Sequence, residues 1–86
     1  MKIIPNSLRR YRRVRGLKQT DVAAILGVKN AAMISRWEKG QTLPSTLNVF
    51  SLSIIYSTTP DALYLDFIRA LREKLRSREE ACRKEA

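Results

Sequence analysis

Residues 19–40 read QTDVAAILGVKNAAMISRWEKG, and the arrangement of the predicted helices follows from this segment. Its apolar residues recur at helical spacing on both sides of Gly27, and glycine takes the left-handed conformation of a helix end at little cost. The pattern therefore predicts two short helices joined by a tight turn. The residues expected to be buried are Val22, Ile25 and Leu26 in the first helix and Met33, Ile34 and Trp37 in the second.

The other face of the second predicted helix is small, polar or basic. A helix with such a face, held from behind by a shorter helix, can lie in the major groove of DNA. Arg36 lies about 200° around this helix from Ile34, and an arginine there can pair with guanine, which is worth about 1–3 kcal/mol of discrimination. The alternative is a surface salt bridge worth about 0–1 kcal/mol, and we favour the contact with a base. The outward residues are Asn30, Ala31, Ala32, Ser35, Arg36 and Lys39.

Further residues flank this stretch in a consistent order. They are Leu8, Tyr11 and Arg12, then Gly16-Leu17-Lys18-Gln19, Ala23, Leu26-Gly27-Val28, Ile34 to Gly40, Pro44, Leu47, Ile54 and Leu63. Together and in this register, they resemble the lambda-repressor/Cro-like (Xre) helix-turn-helix family over about residues 8–63. The family pattern has one residue fewer between the turn glycine and Ile34. The extra residue lies in 29–32, so the start of the recognition helix is open by one position.

The resemblance implies an all-α fold, a five-helix helix-turn-helix domain over residues 1–64 with a C-terminal helical extension over 65–86. It also implies that Arg12 pairs with Glu38, and that Gln19 braces the recognition helix and contacts a phosphate. Asn30 is left between two roles, reading adenine or capping the helix, whereas Ala31 and Ala32 suit thymine methyl groups. Thr20 is expected to be an N-cap with a phosphate contact. The expected DNA-binding residues are Gln19, Thr20, Lys29, Asn30, Ala31, Ala32, Ser35, Arg36, Lys39, Gln41 and Thr42.

Charge and composition are compatible with this reading. The formal net charge is +9, and the part through Tyr64 holds ten Lys/Arg against three Asp/Glu. A basic balance suits nucleic acid, although it also suits a membrane surface or an acidic protein. With one cysteine, Cys82, and no histidine, we expect no internal disulfide, no zinc or other metal site, no cofactor and no enzymatic activity. No apolar run approaches the ~18 residues of a membrane span.

The flanking helices are predicted from the same periodicity. A first helix has Leu8, Tyr11 and Val14 as its apolar stripe, and Leu43 is expected to pack inward. After Pro60 no glycine or proline follows, so one continuous helix is predicted, with an apolar stripe to Leu75 that needs a partner. A further helix is predicted from about residue 44 to residue 55. Its buried face is expected to consist of Leu47, Phe50, Ser51, Ile54 and Ile55.

The sequence thus predicts a sequence-specific transcriptional regulator, a repressor, that binds double-stranded DNA in the cytoplasm as a homodimer on a pseudo-palindromic operator. One alternative is the antitoxin of a toxin–antitoxin pair, whose C-terminal segment would bind a toxin protein. A second alternative is a protein-interaction module that has kept the fold without binding DNA.

Overall fold

The computed structural model describes residues 3–85, and over these residues the chain forms six helices and no strand. Residues 1, 2 and 86, which the predicted domain ranges include, lie outside this part. The all-α class is confirmed, but there is one helix more than the five-helix prediction. The helices are α1 (Leu8–Val14), α2 (Gln19–Leu26), α3 (Ala32–Glu38), α4 (Thr46–Ile55), α5 (Pro60–Leu63) and α6 (Leu65–Glu85).

The helix boundaries follow from local capping chemistry. Gly27 ends α2 in the left-handed conformation at φ 76°, as the sequence predicted. Ser45 caps α4 by accepting a hydrogen bond from the Asn48 N–H at 3.2 Å, which satisfies a donor that the helix leaves unpaired. The N-cap of α2 is Lys18, whose N–H donates to the Asp21 carboxylate at 2.8 Å. The prediction of Thr20 as N-cap is therefore wrong; it lies in the first turn.

One core joins the first five helices. Ile34 and Trp37 of α3 are 1% and 4% exposed, and Val22 of α2 is completely buried. These three residues confirm half of the six inward positions predicted for the helix pair, and Leu26 is partly buried. Burying a side chain of this kind stabilises the fold by about 1.5–3 kcal/mol relative to leaving it in water. The full set of buried apolar residues is Leu8, Val22, Ala23, Ile34, Trp37, Leu52, Tyr56, Leu63 and Tyr64.

Helix α4 buries the face opposite to the predicted one. Leu47, Phe50 and Ile54 are 75%, 55% and 80% exposed, whereas Leu52 and Ser53 are buried. The sequence of α4 is apolar on most sides, so periodicity alone does not distinguish its faces. Ser53 has a small side chain whose hydroxyl donates to the Val49 carbonyl at 2.9 Å, so it fits against the core without an unpaired polar group. The predicted inward position of Ile55 is half right, since it is partly buried.

Four further apolar residues that were expected inside lie at the surface. Val14 is 78% exposed and Ile25 is 58% exposed. Ile25 lies outside the buried face of α2, which packs on the rest of the body through Val22 and Ala23. Leu43, in the loop before α4, is 48% exposed, and Met33 of α3 is 40% exposed.

The helix predicted to run unbroken from Pro60 is interrupted at Tyr64. The backbone there has φ −126° and ψ 37°, outside the helical region. Tyr64 is buried and packs edge-to-face with Phe67 at a ring separation of 6.2 Å. The break coincides with the packing of this ring. No glycine or proline marks the position in the sequence. Beyond Ile68 every described side chain of α6 is exposed, so the 21-residue helix, about 30 Å long, projects from the body.

Candidate nucleic-acid interface

The C-terminal end of α3 is held in place through a buried carboxylate, that of Glu38. Its side chain has no exposed surface. Arg12 donates to it twice, from Nε at 2.6 Å and from Nη2 at 3.0 Å, in the paired geometry that matches a guanidinium to a carboxylate. Gln19 donates from Nε2 at 3.0 Å. The predicted Arg12–Glu38 pair and the bracing role of Gln19 are therefore confirmed, and this cluster ties α1 and α2 to α3.

The charges in this cluster stabilise one another. Burial alone would raise the pKa of Glu38, but hydrogen bonds from Arg12 and Gln19 outweigh it and hold that pKa below its ordinary value. The hydrogen bond to Glu38 in turn raises the pKa of Arg12. Arg12 also donates from Nη1 to the Leu17 carbonyl at 3.0 Å. Both groups thus remain charged and hydrogen-bonded, which is the condition under which a buried pair is tolerated.

The segment before α1 closes the other side of the α3 end. Asn6 donates from Nδ2 to the Trp37 carbonyl at 3.2 Å, and the Ile4 N–H donates to the Gly40 carbonyl at 2.9 Å. A Cβ at residue 40 would overlap the Ile4 backbone, and Gly40 also has φ +74°. Glycine is therefore required here for both reasons. The Asn6 bond adds a second donor to the Trp37 carbonyl, which also accepts from the Gly40 N–H at 3.0 Å.

The outer face of α3 is open to solvent. Helix α3 starts at Ala32 with Ala31 as its N-cap, so the alternative of Asn30 as the N-cap is wrong. Asn30 precedes the cap and accepts from the Ala32 N–H through its Oδ1 atom at 3.0 Å. Ala32, Met33 and Arg36 are exposed, whereas Ala31 and Ser35 are partly buried. Within the described part of the chain, Arg36 forms no ion pair. A short helix backed by a second helix across a glycine turn thus presents one free guanidinium on its outer face.

Comparison with known protein families agrees with this geometry. The family model described as helix-turn-helix matches residues 8–63, more than half of the chain. The chain belongs to the lambda-repressor-like (Xre) helix-turn-helix family. Proteins of this family are DNA-binding regulators. No curated protein matches the chain, and no solved structure matches it either.

In helix-turn-helix terms, α3 is the recognition helix and α2 supports it. The structure places the remaining predicted site residues around these two helices. Thr20 lies in the first turn of α2 and Lys29 in the turn after it, and both are exposed. Lys39, Gln41 and Thr42 are exposed at the end of α3 and in the loop that follows. Gln19 is partly buried, and its amide nitrogen donates a hydrogen bond to the Glu38 carboxylate.

A basic groove beside α3 adds three arginines of α1 to the predicted site residues. Arg9, Arg10 and Arg13 of α1 line it together with Lys39 and Gln41. The signal for this groove was present in the sequence, since five arginines fall within residues 9–15. What the sequence did not give is their position beside the loop after α3, which depends on the packing of α1 against that helix.

Two further observations limit the chemistry of the described residues. None of their helices is both long and apolar enough to cross a membrane. Across the same residues, no group of three histidine, cysteine or acidic side chains is placed to hold a metal ion.

Proposed function

We propose that this regulator binds a specific, pseudo-palindromic operator as a homodimer, inserts α3 into the major groove, and represses transcription by occupying the site. It would do so in the cytoplasm, on the nucleoid. The observation that carries the proposal is the outer face of α3, where Arg36 is exposed and has no intramolecular ion-pair partner. An arginine in that position matches the two acceptors on the major-groove edge of guanine.

Rigid support of α3 strengthens this argument. The helix has seven residues, and an isolated helix of that length does not form in water. Its geometry therefore depends on the buried Glu38 cluster and on the contact between Asn6 and the Trp37 carbonyl. A recognition helix held by such contacts loses little backbone freedom on binding, and preorganisation of this kind raises affinity.

Other residues would position the protein on the DNA backbone. Lys39, Gln41 and Thr42 follow the recognition helix, and their side chains suit phosphate oxygens. The basic groove extends this surface along α1 through Arg10 and Arg13. Few side chains on α3 offer hydrogen bonds to bases, so part of the specificity would come from the shape and deformability of the operator.

The homodimer is proposed from the exposed stripe of α6. Leu71 and Leu75 are 43% and 52% exposed on a helix that projects from the body. Ile68, Leu71 and Leu75 recur at steps of three and four residues, the spacing at which two helices pack along a seam. A second copy would cover these side chains, and its two-fold symmetry would match a two-fold operator.

The antitoxin remains a second candidate, because the same stripe of α6 would also suit a toxin protein as its partner. Co-purification of a second polypeptide with the tagged chain from its native host would favour this candidate. Purification of the chain alone, as a dimer, would favour the self-associating regulator.

The proposed function is tested by selecting bound sites from random duplex DNA at two salt concentrations. We expect an enriched motif with two half-sites about 10 base pairs apart, bound more weakly at higher salt because phosphate contacts release counterions. Binding that fades in salt without any enriched motif would contradict the proposal. The interaction module without specific DNA binding would then be the better description.

A further inference from the structure

Met33 is a large apolar residue of the recognition helix that does not belong to the buried core. It is 40% exposed, whereas Ile34 and Trp37 are 1% and 4% exposed. Together with Gly27 and Val28 it forms the apolar part of a surface depression, and polar side chains of the same depression include Asn30 and Arg36. The depression lies at the turn between α2 and α3, on the face proposed to enter the major groove.

The chemistry of the major groove restricts what this side chain can meet there. Base edges present hydrogen-bond donors and acceptors, and the one apolar group among the four standard bases is the C5-methyl of thymine. Methylation of cytosine places the same group at the same ring position. Methionine is unbranched and polarisable, so it adapts to small apolar groups of varied position. It offers no strong hydrogen bond to any other base edge.

The position of Met33 relative to Arg36 defines which base it would meet. The two residues lie three apart on α3, so their side chains are neighbours on one face of the helix. The Oδ1 atom of Asn30 accepts from the Ala32 N–H at 3.0 Å, and this amide offers polar contacts where Met33 offers an apolar one. Ala32 is also exposed, but its methyl group reaches less far than the Met33 thioether.

We propose that Met33 is a specificity-determining residue that contacts the C5-methyl group of a pyrimidine in the base step next to the guanine paired with Arg36. This inference rests on the proposed function, since it assumes that α3 enters the major groove of a specific operator. It adds that the apolar side chain of Met33 on α3 recognises the C5-methyl group of a pyrimidine.

The test uses the enriched operator and replaces each thymine of a half-site by uracil, which lacks only the C5-methyl group. For the unmodified protein, we expect one position at which uracil weakens binding about fourfold, the equivalent of about 0.8 kcal/mol for one methyl group. Met33→Ala should bind the thymine and uracil duplexes equally, and should bind the uracil duplex as the unmodified protein does. Met33→Leu, which keeps an apolar side chain of similar size, should retain the preference for thymine.

A second arm distinguishes the two sources of the methyl group. At the sensitive position, a duplex with cytosine is compared with one carrying 5-methylcytosine. Recovery of affinity on methylation, lost again in Met33→Ala, assigns the contact to any C5-methyl pyrimidine. A uracil effect without such recovery assigns it to thymine.

Three results would overturn the inference while leaving specific DNA binding intact. These are the absence of any uracil-sensitive position, persistence of the uracil effect in Met33→Ala at every sensitive position, and an equal loss of affinity for both duplexes in that variant. An unchanged melting temperature for Met33→Ala is the folding control, since Met33 is exposed. Failure of the proposed function itself would look different, because no operator would be enriched at all.

Discussion

The body of the molecule and the projecting helix α6 each contain a short arginine–glutamate pair. Arg12 and Glu38 approach to 2.6 Å, and Arg83 and Glu79 approach to 2.7 Å. The side chains of the first pair are 11% and 0% exposed, whereas those of the second are 78% and 61% exposed. The two pairs thus have nearly the same separation, but the first is enclosed by protein and the second is exposed to solvent. Removing one partner of an enclosed pair leaves a buried charge, whereas removing one partner of a solvated pair leaves a hydrated one.

This difference separates two kinds of residue in the chain. Side chains enclosed in the body determine the position of α3, and their loss should be seen in the free energy of unfolding. Exposed side chains, on α6 or on the outer face of α3, contact little within the chain. Their loss should instead be seen in binding or assembly.

Glu38→Ala should lower the free energy of unfolding by about 3–5 kcal/mol, because it leaves the guanidinium of Arg12 largely buried and without its carboxylate. Denaturant titration measures this change. The matched control is Glu79→Ala, which removes an exposed i, i+4 partner of Arg83 and should cost only about 0.3–0.5 kcal/mol. Equal losses in the two variants would show that burial does not separate the pairs.

Stability should also decline in acid through Glu38. Because its pKa is held below the ordinary value in the folded protein, its contribution is fully present above the unfolded-state pKa of about 4.3. It is lost as the pH falls through the lower folded-state pKa. Melting temperatures between neutral and acidic pH should therefore fall more steeply for the unmodified protein than for Glu38→Gln. Parallel curves would remove Glu38 as the cause.

Arg36→Ala should weaken binding to the selected operator by about 1–3 kcal/mol, because it removes a two-acceptor contact with guanine. Its melting temperature should be nearly unchanged, since Arg36 is exposed and forms no ion pair within residues 3–85. Arg36→Lys is the charge-matched control, which should keep salt-dependent affinity but lose the preference for guanine. Unfolding of Arg36→Ala would instead make this residue structural.

Leu71→Asp should convert a dimer to a monomer in sedimentation, with little effect on the fold of the body. The reason is that Leu71 is 43% exposed and lies beyond the last residue of α6 that packs on the core. Leu47→Asp is the matched control, since Leu47 is an exposed leucine on α4 at 75%. A change of mass in the control alone would move the interface from α6 to α4.

Much of the body could be predicted from the sequence, because its decisive signals are local. Gly27 ends α2, and Thr59 with Pro60 starts α5, where the threonine hydroxyl accepts from the Ala62 N–H at 3.2 Å. The Arg12–Glu38 pair was predicted from the order of family residues, and the structure contains it. The two helix ends depend on residue type at a fixed position, so one sequence suffices to identify them. The members of the pair are 26 residues apart, and their pairing was implied by the family resemblance.

The faces of the helices were less predictable, because burial depends on what packs opposite. Helix α4 has apolar residues on nearly all sides, and the predicted inward face is the exposed one. Met33 follows the same rule, since it has the spacing of a core residue but no helix covers it. The last helix is interrupted at Tyr64, whose ring is buried, and no glycine or proline follows Pro60 to mark such a break in the sequence.

The segment from Ile4 to Ser7 has a consequence for the order in which the molecule folds. Ile4 pairs with Gly40, Asn6 with Trp37, and the Ser7 N–H with the Leu63 carbonyl at 2.8 Å. Each bond joins positions far apart in the chain, whereas the helices form from near neighbours, and contacts of long separation form more slowly. These bonds form only when the ends of α3 and α5 have been brought beside the segment. Because the ribosome makes the segment before Trp37, Gly40 and Leu63, it has none of these partners until they have been made.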